Sequence, residues 1–135
     1  MGLAVIPVLD EDGNIAGVVG ALRGKPEDAG YGRWGFPGGF QEWNEPITTT
    51  AARETEEETA LVFDPGLFRI IDTEIVSEGA HHLIFCLGPS IPASVLESAR
   101  AMEGECLEVA LLTPDMDLAF PAHRRVLLDL LNRSR

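Results

Sequence analysis

Short apolar, β-branched runs separated by turn residues fill most of this chain, and helical spacing replaces them in three places. Leu3 to Leu9 reads as a strand, with Pro7 favouring an edge or an end. Asp12-Gly13-Asn14 is a turn signal, and Ile15 to Leu22 reads as the paired strand of a hairpin. Arg23 to Gly32 is a polar loop. After a turn at Asp64-Pro65-Gly66, Leu67 to Val76 and His82 to Leu87 read as two strands joined around Ser77 to Ala80. Ser90 to Met102 predicts a short helix, with Ser90 as its cap, Val95, Leu96 and Ala99 at helical spacing, and Gly104 as its break. Cys106 to Leu112 is another strand, and Thr113 to Leu118 a loop. The segment from Phe120 to Leu131 predicts a closing amphipathic helix that starts at Pro121 and buries Val126, Leu127, Leu130 and Leu131. By pattern alone this is an α/β or α+β chain, expected to form one domain over residues 1–135.

The most informative stretch runs from Gly38 to Leu61. It opens on two glycines and continues as a helix, with Pro46 in the first turn and Asn44 or Glu45 available as the cap. No proline or glycine follows Pro46 until Pro65, so the helix can reach about Leu61. Thr48, Thr49 and Thr50 are poor helix formers, so packing must help hold it. At about 100° per residue, Ile47, Ala51, Glu54, Glu58 and Leu61 share one stripe. Glu57 sits at its edge beside Arg53, and Glu56 points away. A solvated face accounts for Glu56 but not for Glu54 and Glu58. Carboxylates on an inward stripe are costly unless paired or bound to a cation. Hard oxygen donors favour Mg²⁺ or Mn²⁺. Gly38 and Gly39 let the backbone approach a phosphate or a metal, and the Gly39 carbonyl is itself a candidate ligand.

Charge narrows the partners. The 135 residues carry a formal net charge of −12, and 45% of them are hydrophobic. A nucleic-acid polymer or an anionic membrane surface is therefore an unexpected partner. A small phosphate compound is still compatible, because bound metal inverts the local charge. Cys86 and Cys106 sit in apolar contexts without metal or disulfide spacing, and are expected to be reduced core residues. The segment Met1 to Asp10 lacks the pattern of a signal peptide, so a cytoplasmic location is the expectation. His81 and His82 are adjacent in a strand and point to opposite faces, so they are not expected to share one ion. A single histidine near substrate fits better.

The stretch resembles the box of the Nudix hydrolases: Gly, five residues, Glu, seven residues, then Arg-Glu-aliphatic-x-Glu-Glu-x-Gly-aliphatic. Gly39, Glu45, Arg53, Glu54, Glu57, Glu58 and Leu61 match it in register. Thr55 replaces an aliphatic residue, which could weaken packing on the sheet, and Ala60 replaces a glycine. Trp34 and Pro37 match the tryptophan and proline that commonly precede the glycines, and read first as scaffold. The aromatic residues among these glycines could also form a wall for a base or ribose, with Trp34 a substrate-binding candidate.

The resemblance implies an α/β/α sandwich with a mixed central sheet. It also implies Mg²⁺-dependent hydrolysis of a phosphoanhydride, with Mn²⁺ as a possible substitute. Glu54, Glu57 and Glu58 would hold metal and carry catalysis, helped by Arg53. Glu45 would be an outer partner, and Glu105, with Glu108 close behind, would complete the metal site. Arg23 and Arg33 are candidate phosphate contacts, although solubilising arginines are equally expected. The implied substrate is a small nucleotide, a nucleoside diphosphate linked to a moiety X such as ADP-ribose or a dinucleotide. The alternatives are a (d)NTP pyrophosphohydrolase and a catalytically weak nucleotide-binding module. Family habit makes a homodimer an expectation too.

Overall fold

Successive residues of the innermost strands point into two different cores. In β1 (Gly2–Val5), Leu3 and Val5 enter one hydrophobic cluster, while Ala4 enters the other with Ile6, the residue that follows the strand. Val18 and Val19 of β3 (Ile15–Arg23) divide in the same way, as do Phe85 and Cys86 of β7 (His81–Leu87). Strands this apolar on both faces need cover on both faces. One cluster is closed by Ala122, Val126 and Leu127 of α3 (Pro121–Arg133), the other by Ala51 and Ala52 of α1 (Ile47–Thr59). The fold is an α/β/α sandwich. The computed structural model describes residues 1–27, 30–76 and 81–133. The expected connection at Ser77 to Ala80 lies outside the described residues, as do two positions of the Arg23 to Gly32 loop.

The remaining elements are β2 (Pro7–Leu9), β4 (Trp34–Gly35), β5 (Gly38–Gly39), β6 (Arg69–Val76), β8 (Ile91–Pro92), α2 (Ala93–Leu96) and β9 (Cys106–Leu112). One sheet runs β5-β1-β7-β6, with β1 and β7 parallel and the other pairs antiparallel. The second runs β4-β3-β2-β8, with β9 antiparallel along β3. The predicted first strand is thus split. Pro7 opens β2, where the chain passes from one sheet to the other.

Two helix predictions are corrected. The segment from Ser90 is not a multi-turn helix. Ile91 is buried and pairs, with Pro92, to β2, which leaves only one helical turn in α2. Neither Asn44 nor Glu45 caps α1. Pro46 occupies the cap position without a side-chain bond, because the Glu45 carboxylate is committed to Arg53 and Thr50. At the other end, Ala60 adopts φ 64° and stops the helix before Leu61. The backbone N–H groups of Arg100 and Met102 satisfy the carbonyls of Thr59 and Glu58 at 2.8 and 3.1 Å. Cys106 and Cys86 are free and buried, and burial pushes both thiols up to about 11.

The inward line of α1 also differs from the wheel by about one position. Its buried residues are Thr50, Ala51, Ala52, Thr55 and Thr59. The Thr55 and Thr59 hydroxyls donate to the carbonyls of Ala51 and Thr55, at 2.7 and 2.6 Å. Thr55 therefore packs without an unsatisfied polar atom. Glu54 and Glu58 lie beside this line and open into a cavity.

Candidate active site

Strand β5 with Phe40 after it, and the half-buried border of α1, form one wall of a cavity of about 240 Å³. Glu54 and Glu58 reach it from the helix, and Glu105 from the loop before β9. Arg23 and Lys25, at and just after the end of β3, supply cationic groups on the same cavity, with Lys25 Nζ 3.4 Å from Glu105 Oε2. Acidic and basic groups thus share a space large enough for a polar ligand.

Arg53 organises the acids. Its Nε and Nη2 donate to the two oxygens of Glu45 at 2.8 and 3.0 Å. Nη2 also donates to the Phe40 carbonyl at 3.1 Å, which ties the loop after β5 to the helix. Nη1 donates to Glu54 at 3.0 Å and to both oxygens of Glu57 at 3.2 Å. The bond from Arg53 holds the Glu45 carboxyl down at about 2, against the opposing effect of burial, and Thr50 adds a bond at 2.6 Å. The Arg53 guanidinium is held further into its charged form, chiefly by Glu45.

Glu54 and Glu58 are shifted the other way. Burial raises Glu54, and the neighbouring charge of Glu57 raises it further. Burial pushes Glu58 up to about 8, although the Gly38 N–H donates to its Oε2 at 2.8 Å. A Cβ at position 39 would lie 2.5 Å from the Glu54 carboxyl carbon, so any side chain there would displace that carboxylate from its present place. Among the described residues, no three acidic, histidine or cysteine side chains already converge to hold an ion. The donor set nevertheless fits a hard divalent cation. Glu54 and Glu58 face a polar cavity, with Glu105 on the same space and a glycine backbone pressed against one of them. A cation would relieve both the desolvation and the repulsion that raise their pKa values.

Other candidates fall elsewhere. Glu57 is held against Arg53 at the rim, with 44% of its side chain exposed. Glu108 is an exposed residue within β9 and does not line the cavity, whereas Glu105 does. Arg33 is outside and pairs with Asp117 at 3.6 Å. Trp34 packs against the core under α3, with its backbone bonded to Asp117 and Ala119. It is scaffold here and lines no part of the cavity. His81 and His82 are exposed and line none of it either. Phe40, one of the aromatic residues expected to form a wall among the glycines, lines the cavity, as do Lys25 and Glu42, which were not legible from the sequence. They lie in loops, where no periodicity announces direction.

A family profile described as NUDIX domain matches residues 2–129. The chain belongs to the Nudix family. Comparison with curated protein sequences finds no match. Among solved structures, the MutT protein of Methanosarcina mazei Go1 is 19% identical, with TM-score 0.66, covering 96% of this chain and 91% of its own. The NUDIX domain of Shewanella oneidensis NrtR, complexed with ADP ribose, is 18% identical with TM-score 0.70, covering 98% and 88%. A bifunctional NMN adenylyltransferase/ADP ribose pyrophosphatase of Francisella tularensis, complexed with AMP and a Mn ion, is 18% identical with TM-score 0.66. It covers all of this chain, which spans 42% of it. At these identities the likeness is one of fold.

Proposed function

We propose that this chain hydrolyses the phosphoanhydride bond of a nucleoside diphosphate linked to a second moiety, such as ADP-ribose or a dinucleotide, in the presence of Mg²⁺. The observation that carries the reading is the pairing of Glu54 and Glu58, both raised in pKa, with Glu105 in one cavity beside Arg23 and Lys25. Glu54, Glu58 and Glu105 would hold the cation, with the Gly39 carbonyl as a further donor. Glu57 stands close enough to Glu54 to share Arg53, and would join them by rotation of its side chain. A divalent cation there neutralises diphosphate charge and makes water a stronger acid. ADP ribose and AMP in the two structures above support a nucleotide ligand, and the Mn ion supports a divalent one.

The protein's own groups have separate tasks. Arg23 and Lys25 bind and orient phosphate oxygens. Arg53 fixes the side chains of Glu45 and Glu54 and the Phe40 carbonyl, so the carboxylates are preorganised before substrate arrives. A carboxylate of the cluster takes the proton of the attacking water. Assay of ADP-ribose, dinucleotides and (d)NTPs with Mg²⁺ tests this reading through the nucleoside monophosphates released. Excess EDTA should abolish turnover. Full turnover in chelator would refute the metal role, and binding without turnover on any of these compounds would leave the module alternative.

A further inference from the structure

We infer that Phe40 is the platform on which the base of the nucleotide stacks, so that the site grips its ligand by the base as well as by the phosphates. The inference rests on the phosphoanhydride reading of the cavity and adds a base subsite to it. Phe40 directly follows Gly38 and Gly39 and lines the same cavity as Glu54, Glu58 and Glu105. It is 65% exposed, so its face is open to a planar ligand. Its position is not left to a free loop, since Arg53 Nη2 holds its carbonyl at 3.1 Å. The ring lies 6.0 Å from that of His81, at 43°, so a second ring flanks it.

Tyr31 and Trp43 are also exposed, by 50% and 92%, but neither lines the cavity. Phe40 is therefore the exposed aromatic placed beside the acidic cluster. A ligand whose diphosphate meets Glu54 and Glu58 would have its base within reach of this ring. Stacking on a phenyl face tolerates any base, so the subsite recognises a nucleoside without choosing which.

The test uses two ligands that resist hydrolysis, α,β-methylene-ADP and methylenediphosphonate, titrated calorimetrically into the full chain in Mg²⁺. They share the phosphate chemistry and differ by the nucleoside. Wild type should bind the nucleotide more tightly. Phe40→Ala should weaken the nucleotide about ten-fold, the scale of one base stack, and leave methylenediphosphonate unchanged. Phe40→Trp should restore nucleotide affinity, Phe40→Leu should not, and Trp43→Ala should behave as wild type. Equal weakening of both ligands by Phe40→Ala, or no weakening of either, would overturn the base platform while leaving the phosphate site in place. Failure of wild type to bind either ligand would instead overturn the phosphoanhydride reading, and the platform with it.

Discussion

Arg53 and Glu45 form a two-pronged pair, with Nε and Nη2 donating to Oε2 and Oε1 at 2.8 and 3.0 Å across eight positions of sequence. The Glu45 side chain is only 10% exposed, and the partner that holds it also holds Glu54 and Glu57. The pair is therefore the frame on which the acidic cluster is aligned.

An acid-dependent stability follows from this pair. The Glu45 carboxyl sits at about 2 in the folded protein against 4.5 as its ordinary value. Between those values the unfolded chain binds a proton that the folded one does not, so lowering pH favours unfolding there. The pair's stabilisation is complete above pH 4.5 and is lost as pH falls towards 2. Glu45→Gln should lower the melting temperature at neutral pH and flatten its decline over that range. Arg53→Lys, which cannot make the two-pronged bond, should also lower kcat by about ten-fold through misalignment of the cluster. Melts across pH, with kcat on the substrate found above, check both.

Glutamine substitutions separate the acids of α1. Glu54→Gln, Glu57→Gln and Glu58→Gln should each reduce kcat by at least about 10²-fold, since each removes a ligand or a base. Glu56 is exposed and outside the cavity, so Glu56→Gln should stay within a few-fold of wild type. Equal losses from all four would mean that only the summed charge matters.

Ala60 ends α1 with φ 64°, a left-handed conformation that costs any side chain. Ala60→Gly should stabilise the protein by about 1 kcal/mol, the relief of that strain less the greater freedom of glycine in the unfolded chain. Denaturant titration would reveal it as a higher midpoint at unchanged slope.

His123 is fully buried beneath Phe36, with ring centroids 4.7 Å apart and planes within 6°. Its Nδ1 accepts the Phe36 N–H at 3.3 Å, and its Nε2 has no partner among the described residues. Burial holds it down at about 3, from 6.5, with the Arg23 charge adding to the effect. The unfolded chain takes up a proton below pH 6.5 that the folded one refuses, so stability falls from there towards pH 3. His123→Phe should remove this part of the acid sensitivity while losing the bond to Phe36. Comparing the slopes of stability against pH between 4.5 and 6.5 isolates it from the Glu45 effect.

His123 also shows where sequence reading stopped short. It precedes Val126 and Leu127 by three and four positions, so the spacing that marked those residues as buried includes it. Its polar side chain hides that placement from an apolar pattern. Glu54 and Glu58 were legible, because the helix period and the gapped Arg-Glu pattern depend only on local order. The helix from Ser90 was misread because its apolar spacing does not reveal that β2 lies ready to pair with Ile91.

The sequence by itself determined the periodicities, the turns, the acidic helix and the register of the box, since these follow from bond geometry and near-neighbour sterics. Tertiary structure decided which acids share a space. Glu105 rather than Glu108 faces the cavity because β9 pairs along β3 in a register that leaves Glu105 in the loop before the strand, beside Lys25. Trp34 and Arg33 were drawn away from the site by bonds to the segment before α3. Phe40 was drawn to it by Arg53, thirteen positions on. Such placements depend on long-range pairing and on the burial of charge, whose energies no local pattern encodes.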